Sequence, residues 1–587
     1  MEKKWSILSP EPDQVQCLTD TLGCHPVVAT VLVNRNICTA EQAASFLKPS
    51  LAEVRSPFLM KDMDRAVDRI LLALQRREKV VVFGDYDVDG ITATSLLFGF
   101  LKHLDMDVDY HIPDRLTEGY GLSPEYVEKG AIARGINLII TVDCGISSHE
   151  AIRAAHNSGI DVIVTDHHEI PPVLPDAFAI LNPKQPACPS GFTWLAGVGV
   201  AFNLVLALRK RLRDEHFWET RTEPNLKAAC DLVALGTVAD MVPILEENRI
   251  YVKAGLEVLA SYVRPGVKAL LDVCQITNGA LDAWDVAFRL APRLNAAGRL
   301  RHASMGLELL TTSSPEAAHT IAENLDQENS RRQAIEKEIF SEILRRLEAN
   351  PQLLRKRALV LEQQGWHEGV IGIVASRLVE RYVRPVVLIA VTDGMGKGSA
   401  RSPEGLDLFK ALKACDHCLE KFGGHQAAAG LTLKAENIPA FGKEFEKTVS
   451  RNAPVGLVPK LSIDAEISAS EITPRFANEL EQLAPFGTGN PEPLFMLSDM
   501  DVLSGRIVGA RHMQMRLRPS NCVKTGPFDA ILFNVNRRLT DDRPPKRLDR
   551  IACHVRWNRW SPARKGIRHG GRDRKSIQLV IKDFAAA

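Results

Sequence analysis

Between residues 80 and 90 the chain reads Val-Val-Val-Phe-Gly-Asp-Tyr-Asp-Val-Asp-Gly. Asp85, Asp87 and Asp89 are three carboxylates in one short stretch, and they repel one another unless a cation lies between them. Later apolar stretches run into similar chemistry. Val142-Asp143-Cys144-Gly145 ends on an acid, Thr165-Asp166-His167-His168 adds two imidazoles, and Gly236-Thr237-Val238-Ala239-Asp240-Met241-Val242-Pro243 offers one more acid. Carboxylate and imidazole donors suit Mn²⁺ or Mg²⁺ better than a soft thiolate site would, and two ions sharing a carboxylate form the usual clamp for phosphoester hydrolysis. Taken alone, the acidic turn has other readings. A calcium-binding loop needs a helix before it and a bidentate Glu at its twelfth position, which here is Leu96. An aspartyl-nucleophile phosphatase and a merely solvated acidic turn stay open on this motif alone, and what separates them is whether ligands recur at later strand ends.

The elements that must position these residues alternate between two periods. Val80 to Phe83 reads as a buried strand, and Gly90 with the apolar run after Thr92 reads as the helix that leaves it, so all three acids fall in the intervening turn. Val108 to Pro113 is a second strand, followed by Arg115, a glycine-containing loop and a helix opened by Ser123 and Pro124. Asn137 to Val142 and Asp161 to Thr165 are the third and fourth strands. Strands alternating with helices imply right-handed crossovers and a parallel sheet. Parallel strands point the same way, so the acids and the two histidines gather along one edge, where open α/β sheets bind ligands.

At 587 residues the chain is too long for one core. The net charge of +1 says little about partners, but from Asp501 to Ala587 there are 20 Lys and Arg against 7 Asp and Glu, which points to a polyanion or to a solvated basic face. Eleven scattered cysteines and no secretory segment at Met1-Glu2-Lys3-Lys4-Trp5 favour a reducing cytoplasm. Cys415 and Cys418 form a lone pair with zinc-like spacing, read here as ordinary thiols. No apolar run reaches membrane-spanning length, so no membrane association is expected. Residues 1 to about 75 read as a helical lead-in without chemistry.

Downstream, Ala291 to Arg299 reads as a Gly- and Arg-containing loop that meets phosphates, or else as a helix cap with surface arginines. Ser314 and Pro315 open a long helix with Ile321, Leu325, Ile335, Ile339, Ile343 and Leu347 at helical spacing. Glycine-rich turns at 365–377, 397–402 and 422–430 read as N–H groups presented to anions, or else as plain tight turns, which also use glycine. From about Leu461 the chain turns to short strands whose basic residues interleave with Phe528, Phe533, Trp557 and Trp560, a pattern that serves base stacking on a small barrel unless the aromatics are core.

In their order, the acidic and histidine motifs resemble those of the DHH phosphoesterase superfamily, and from about residue 80 onward the chain is similar to the RecJ family of single-strand-specific DNA exonucleases. After the helical lead-in (1–75), the resemblance implies an α/β protein: a parallel-sheet DHH catalytic core (76–270), a DNA-contact loop and long connecting helix (271–350), a smaller α/β DHH-associated domain (351–450) and a C-terminal OB-fold β-barrel (455–587). It implies two ions, Mn²⁺ or Mg²⁺, one held by Asp89, Asp143, His167 and Asp240, the other by Asp85, Asp87 and the shared Asp143. His168 would lie by the scissile phosphate, as a catalytic group with Asp143. Arg115, Ser399 and Arg401 would hold the terminal 5′ phosphate, with Arg299, Lys397 and His425 along the DNA path. Related phosphatases carry a His where this chain has Phe83, which implies a weaker second ion.

The implied activity is 5′ to 3′ exonuclease cleavage of single-stranded DNA to 5′ mononucleotides, in DNA repair and recombination. Single-stranded DNA, a single-strand DNA-binding protein and a helicase are the implied partners of a monomer. Two other readings remain: a DHH enzyme for short oligonucleotides or cyclic dinucleotides, which would lack the long helix and the basic barrel, and a non-catalytic DNA-binding relative, which would have lost its metal ligands.

Overall fold

The computed structural model describes residues 3–115, 117–261, 263–276, 281–300, 303–452, 460–509, 511–520, 526–535, 544–558 and 576–586. They fall into two units, one drawn from Ser56–Asp240 and Gly255–Pro459, the other from Lys3–Arg55, Met241–Ala254 and Lys460–Ala587.

The first unit is built on a five-stranded parallel sheet in the order Val108–His111, Val80–Gly84, Leu138–Val142, Asp161–Thr165 and Ala179–Leu181. Val80–Gly84 and Leu138–Val142 are buried throughout, as expected where helices cover both faces of a parallel sheet. The strand Ala179–Leu181 was not legible in the sequence, since three residues carry no period to recognise.

Two local readings change. The helix after the first strand starts at Val88, because Asp87 caps it by accepting a hydrogen bond from the Gly90 amide at 3.1 Å. Asp89 therefore lies in the first helical turn, and only Asp85 and Asp87 remain in the connection. Ala291–Leu300 is a helix where a phosphate-binding loop was expected. A π-helical turn over Val286–Leu290 precedes it, a widened turn that accommodates Pro292, which has no amide hydrogen. Gly298 lets this helix approach the acidic turn, since a Cβ there would lie 2.8 Å from the Tyr86 carbonyl.

The connecting helix runs from Pro315 to Ala349, capped by the Ser314 side chain on the Ala317 amide. It leads into a second sheet in the order Lys421–Gly424, Ala428–Lys434, Met395–Arg401, Val386–Thr392 and Leu359–Gln364, antiparallel except for the last pair. Cys415 and Cys418 are buried in this sheet's apolar core beside Leu412, Phe441 and Phe445.

In the second unit the strands Phe495–Val508, His512–Pro519, Phe528–Leu532, Ile577–Ala586 and Arg547–Trp557 pair in sequence and close when the last pairs with the first. The division of the N-terminal segment differs from the expected single lead-in. The strand Lys4–Ile7 pairs in parallel with Lys460–Ile463, and Leu18, Val28, Leu32 and Phe46 share an apolar cluster with Phe495, Leu517 and Ile551 of the barrel. The helix Met63–Arg76 belongs to the first unit. Arg249 fastens the second unit: its buried guanidinium lies 3.7 Å from the centre of the Phe46 ring and donates to the carbonyls of Phe46, Leu483 and Ala484 at 2.7, 3.0 and 2.8 Å.

Candidate metal centre

The parallel strands deliver their terminal side chains to one point. Asp85, Asp87 and Asp143 form one group, Asp89, His167 and Asp240 a second, and Asp143, His167 and His168 a third, with ligand atoms in each group within 4.8 Å of one another. His167 Nε2 lies 3.1 Å from Asp143 Oδ1, 3.6 Å from Asp240 Oδ2 and 3.9 Å from Asp89 Oδ2. Asp143 takes a left-handed backbone conformation, φ 60°, a cost of about 1–2 kcal/mol for a residue with a Cβ. Two glycines make room for the carboxylates: a Cβ on Gly197 would sit 2.5 Å from Asp143 Oδ1, and one on Gly236 2.7 Å from Asp89 Oδ1. Asp89 also accepts the Gly197 and Val198 amides at 2.6 and 2.9 Å, at the N-terminus of the helix Gly197–Asp214.

The electrostatics of this arrangement ask for cations. Burial, followed by repulsion from neighbouring acids, pushes Asp85 and Asp143 well above the usual carboxylate range. The same causes raise Asp89 to about 7 and Asp240 to about 8. Burial and the nearby charge of His168 lower His167 to about 3, so its imidazole is neutral. Asp85 Oδ1, Asp143 Oδ1 and His167 Nε2 are buried with no hydrogen-bond partner. Buried polar atoms are nearly always paired, and hard oxygen donors around a neutral imidazole are a fitting set for Mn²⁺ or Mg²⁺.

Asp166 has a different task. It accepts the amides of Ile146, His167 and His168 at 3.0, 2.7 and 3.0 Å and His168 Nδ1 at 2.7 Å. Burial works to raise its pKa, but these bonds and the charge of His168 outweigh it and hold the group below its ordinary value. In return, and against its own burial, His168 is raised to about 9 by Asp166, with help from Asp240 and Asp85. A charged imidazole therefore faces the carboxylates, with the Tyr120 hydroxyl 3.4 Å from its Nδ1.

A cationic group lies alongside. Arg115 stands over the Tyr86 ring, 5.2 Å from its centroid. Burial and the charges of Arg115, Arg332 and Arg401 depress Arg299 to about 10, and burial with Arg115 lowers Arg401. Arg401 Nη1 donates to Ser399 Oγ at 3.0 Å, and Arg299 Nη1 to the Gly369 carbonyl at 3.2 Å. The structure thus groups Arg115, Arg299, Ser399 and Arg401. Lys397 instead pairs with Glu368 at 2.9 Å, and His425 lies in an exposed turn within electrostatic reach of Glu169. Phe83 points into the apolar core, stacked on His111 with centroids 5.3 Å apart.

Sequence reasoning missed several participants. Tyr86 and Tyr120 line the centre, and buried Asn182 donates to the His168 carbonyl at 3.0 Å. Lys184 pairs with Glu169 at 2.8 Å and acts electrostatically on His167 and Asp240. An Asn-Pro turn signal at Asn182-Pro183 was available to flag this loop. Of the barrel aromatics, Phe528 is core, Phe533 is half exposed beside His512, Trp557 donates to Asn478, and Trp560 lies outside the described residues.

Comparison with known proteins gives matches across the chain. The DHH family, N-terminal domain, matches residues 79–237, the DHHA1 domain residues 355–451 and the RecJ OB domain residues 463–583. The single-stranded-DNA-specific exonuclease RecJ of Bacillus subtilis is 38% identical over 587 residues, covering 100% of this chain and 71% of its own length. That of Escherichia coli is 40% identical over 533 residues, 88% of this chain and 90% of its own. The crystal structure of RecJ in complex with Mn²⁺ from Thermus thermophilus aligns with a TM-score of 0.82 at 30% identity, over 100% of this chain and 80% of that one. The corresponding Mg²⁺ complex gives 0.75 at 28%, over 100% and 78%.

Proposed function

The chain belongs to the RecJ family of the DHH phosphoesterases, and from that membership we propose that it is a single-strand-specific DNA exonuclease that removes 5′ mononucleotides in the 5′ to 3′ direction. The observation that carries the reading is the set of buried, unpartnered donor atoms on Asp85, Asp143 and His167 beside the cationic group of Arg115, Arg299 and Arg401. One group wants divalent cations and the other a phosphate, and a phosphodiester flanked by ions answers both.

Asp89, Asp143, His167 and Asp240 would hold one ion and Asp85, Asp87 and Asp143 the other, and together such ions acidify an attacking water and neutralise the phosphate in the transition state. The chain's own residues do the rest. Asp166 holds His168 charged and oriented, so that its imidazolium faces the developing negative charge. Arg115, Ser399 and Arg401 grip the terminal 5′ phosphate in guanidinium forks and a hydroxyl, and that grip selects which phosphodiester reaches the carboxylates. Arg299 holds the strand between them, and Lys397 and His425 extend the path farther out.

The connecting helix and the barrel favour this reading over an enzyme for short oligonucleotides, and the retained acids and histidines favour it over a non-catalytic DNA-binding relative. The same proposal places the chain in DNA repair and recombination, as a cytoplasmic monomer that meets a single-strand DNA-binding protein and a helicase. Its supports are family membership, the free thiols of the described cysteines, and the lack, among the described residues, of any helix long and apolar enough to cross a membrane.

The test is digestion of end-labelled single strands, with and without a 5′ phosphate, in Mn²⁺ and in EDTA. Mononucleotide release from the phosphorylated 5′ end, abolished by EDTA, is the expected result. Cleavage that persists in EDTA, or that starts from the 3′ end, overturns the proposal.

A further inference from the structure

Along most of the connecting helix the buried face is apolar. Ala318, Ala322 and Leu325 are buried in its first half, and Ile339, Ile343 and Leu347 lie in a cluster with Leu359 and Val370 of the second domain. At the changeover between the two, polar residues occupy that face. Asn329 and Arg332 are buried, at 2% and 8% exposure, and Glu336 follows one turn on. Arg332 Nη1 donates to Glu336 at 2.7 Å and Nη2 to Asn329 at 3.0 Å, while its Nε is buried without a partner. Burying an ion pair in place of apolar side chains is seldom a gain in stability, so the network calls for another explanation.

What the network touches supplies one. Glu336 also accepts Arg377 Nη1 at 2.7 Å, from the helix Glu368–Tyr382, and Arg377 lies 4.3 Å from the centroid of the Phe340 ring. The N-terminal turns of that helix support the phosphate grip. A Cβ on Gly369 would collide with the Arg299 carbonyl, and one on Gly372 would lie 2.9 Å from Ser399 Oγ and 3.0 Å from Arg401 Nη2. On the other side, Arg332 lies within electrostatic reach of Arg299, at the end of the helix that rests on the acidic turn. Glu336 thus ties the connecting helix to the helix that lies against Ser399 and Arg401, and Arg332, which holds Glu336 in place, faces Arg299 as a like charge.

We propose that Arg332 is a positioning residue that fixes product length: the Asn329–Arg332–Glu336–Arg377 brace holds the phosphate grip at the span from the carboxylates that admits one nucleotide. This rests on the exonuclease reading above. A brace made of directional, charge-assisted bonds suits the task because it sets distance and angle, which apolar packing alone leaves softer. Loosening it lets the anchored end shift relative to the reacting phosphate, and the second phosphodiester then competes for the centre.

The experiment uses the full chain with Arg332→Gln, Arg332→Lys and Glu336→Gln, on 5′-phosphorylated, 5′-labelled single strands in Mn²⁺, with mononucleotide and dinucleotide products resolved. Because a misplacement of ~1 Å changes reaction rates by up to ~10²-fold, the dinucleotide-to-mononucleotide ratio is expected to rise at least ~10-fold in Arg332→Gln and Glu336→Gln, with partial recovery in Arg332→Lys. A merely structural role would lower melting temperature and total activity together and leave that ratio unchanged, which would overturn the proposal. If Arg332→Gln does not fold, the ratios from the other two variants decide. Failure of the unaltered chain to cleave any single strand would overturn the underlying nuclease reading and this inference with it. An unaltered product ladder from active variants overturns this inference alone.

Discussion

Gly197→Ala tests whether the acids are placed for metal chemistry or merely crowded. The added methyl would sit 2.5 Å from Asp143 Oδ1, 2.6 Å from its Cβ and 2.7 Å from its Cγ. Ordinary van der Waals contact begins near 3.4 Å, so Asp143 must withdraw by about 0.9 Å, several times the ~0.2 Å tolerance of a metal–ligand distance. The Gly197 backbone cannot yield instead without lengthening its 2.6 Å bond to Asp89, another proposed ligand. A displacement of ~1 Å at a reacting centre is worth ~10²-fold in rate, or roughly 2.7 kcal/mol of transition-state stabilisation. Overpacking itself costs about 1–3 kcal/mol of stability, which a protein of this size tolerates. The expected outcome is a folded protein whose kcat on single-stranded DNA falls about 100-fold, and whose thermal midpoint no longer rises on adding Mn²⁺. Wild-type turnover together with a wild-type Mn²⁺ shift would refute the assignment of Asp143 as the shared ligand.

Asp143→Ala should abolish cleavage and the Mn²⁺-induced rise in melting temperature while leaving the circular dichroism spectrum unchanged. The metal-free protein should lose stability between pH 6.5 and 8. In that window Asp89 at about 7 and Asp240 at about 8 ionise in the folded state, having ionised near 4 in the unfolded chain, and His168, raised to about 9, keeps in the folded state a proton that the unfolded chain has shed. Each of these raised groups stabilises the fold below its unfolded pKa and loses that contribution as pH rises through its folded one. His167, lowered to about 3, is neutral in the folded state throughout this range and opposes the trend mainly below it. Melting in EDTA at pH 6.5 and 8 checks the sign, and the rise on adding Mn²⁺ should be larger at pH 8. Arg249→Leu leaves buried carbonyls at Phe46, Leu483 and Ala484 without their donor and should cost about 3 kcal/mol or more, read from urea unfolding of the full chain.

What could be read from the sequence follows from the range of the interactions involved. Asp85, Asp143, His167 and Asp240 were legible because a strand end or helix end fixes each one locally, and parallel strands bring the strand ends together. Asp89 was placed one element too early, since the cap by Asp87 is a side-chain choice that periodicity does not register. Ala291 to Arg299 was misread because its Pro and Gly look like punctuation, whereas Pro292 follows a π turn and Gly298 is a contact with Tyr86. The allegiance of residues 3–55 to the barrel was hidden, because short amphipathic helices declare an apolar face but not the surface that will cover it. Arg332 was invisible for the opposite reason: a charged residue on a long helix reads as solvated, and its burial comes from tertiary packing that the local sequence does not encode.

The two charged groups in the first unit are each electrostatically strained in isolation, and on the proposed function that strain would make the site selective. Burial first and like-charge repulsion second hold Asp89 at about 7 and Asp240 at about 8 and depress Arg299 to about 10, so the two groups are strained with opposite sign. A divalent ion relieves the first and a phosphate the second, but a free phosphate near the acids is repelled and a free cation near the arginines gains nothing. Asp87 links the two, since its charge reaches both Arg299 and the buried acids. A ligand that relieves both at once must carry a phosphate bound to metal on one side and a second phosphate at the grip on the other. On the proposed function that ligand is the end of a 5′-phosphorylated strand, whereas inorganic phosphate and metal alone each answer one half. On the proposed function, affinity for the strand end is a property of the pair of clusters, and the span between them, which the proposed brace on the connecting helix would set, becomes as much a part of substrate recognition as the residues proposed to touch DNA.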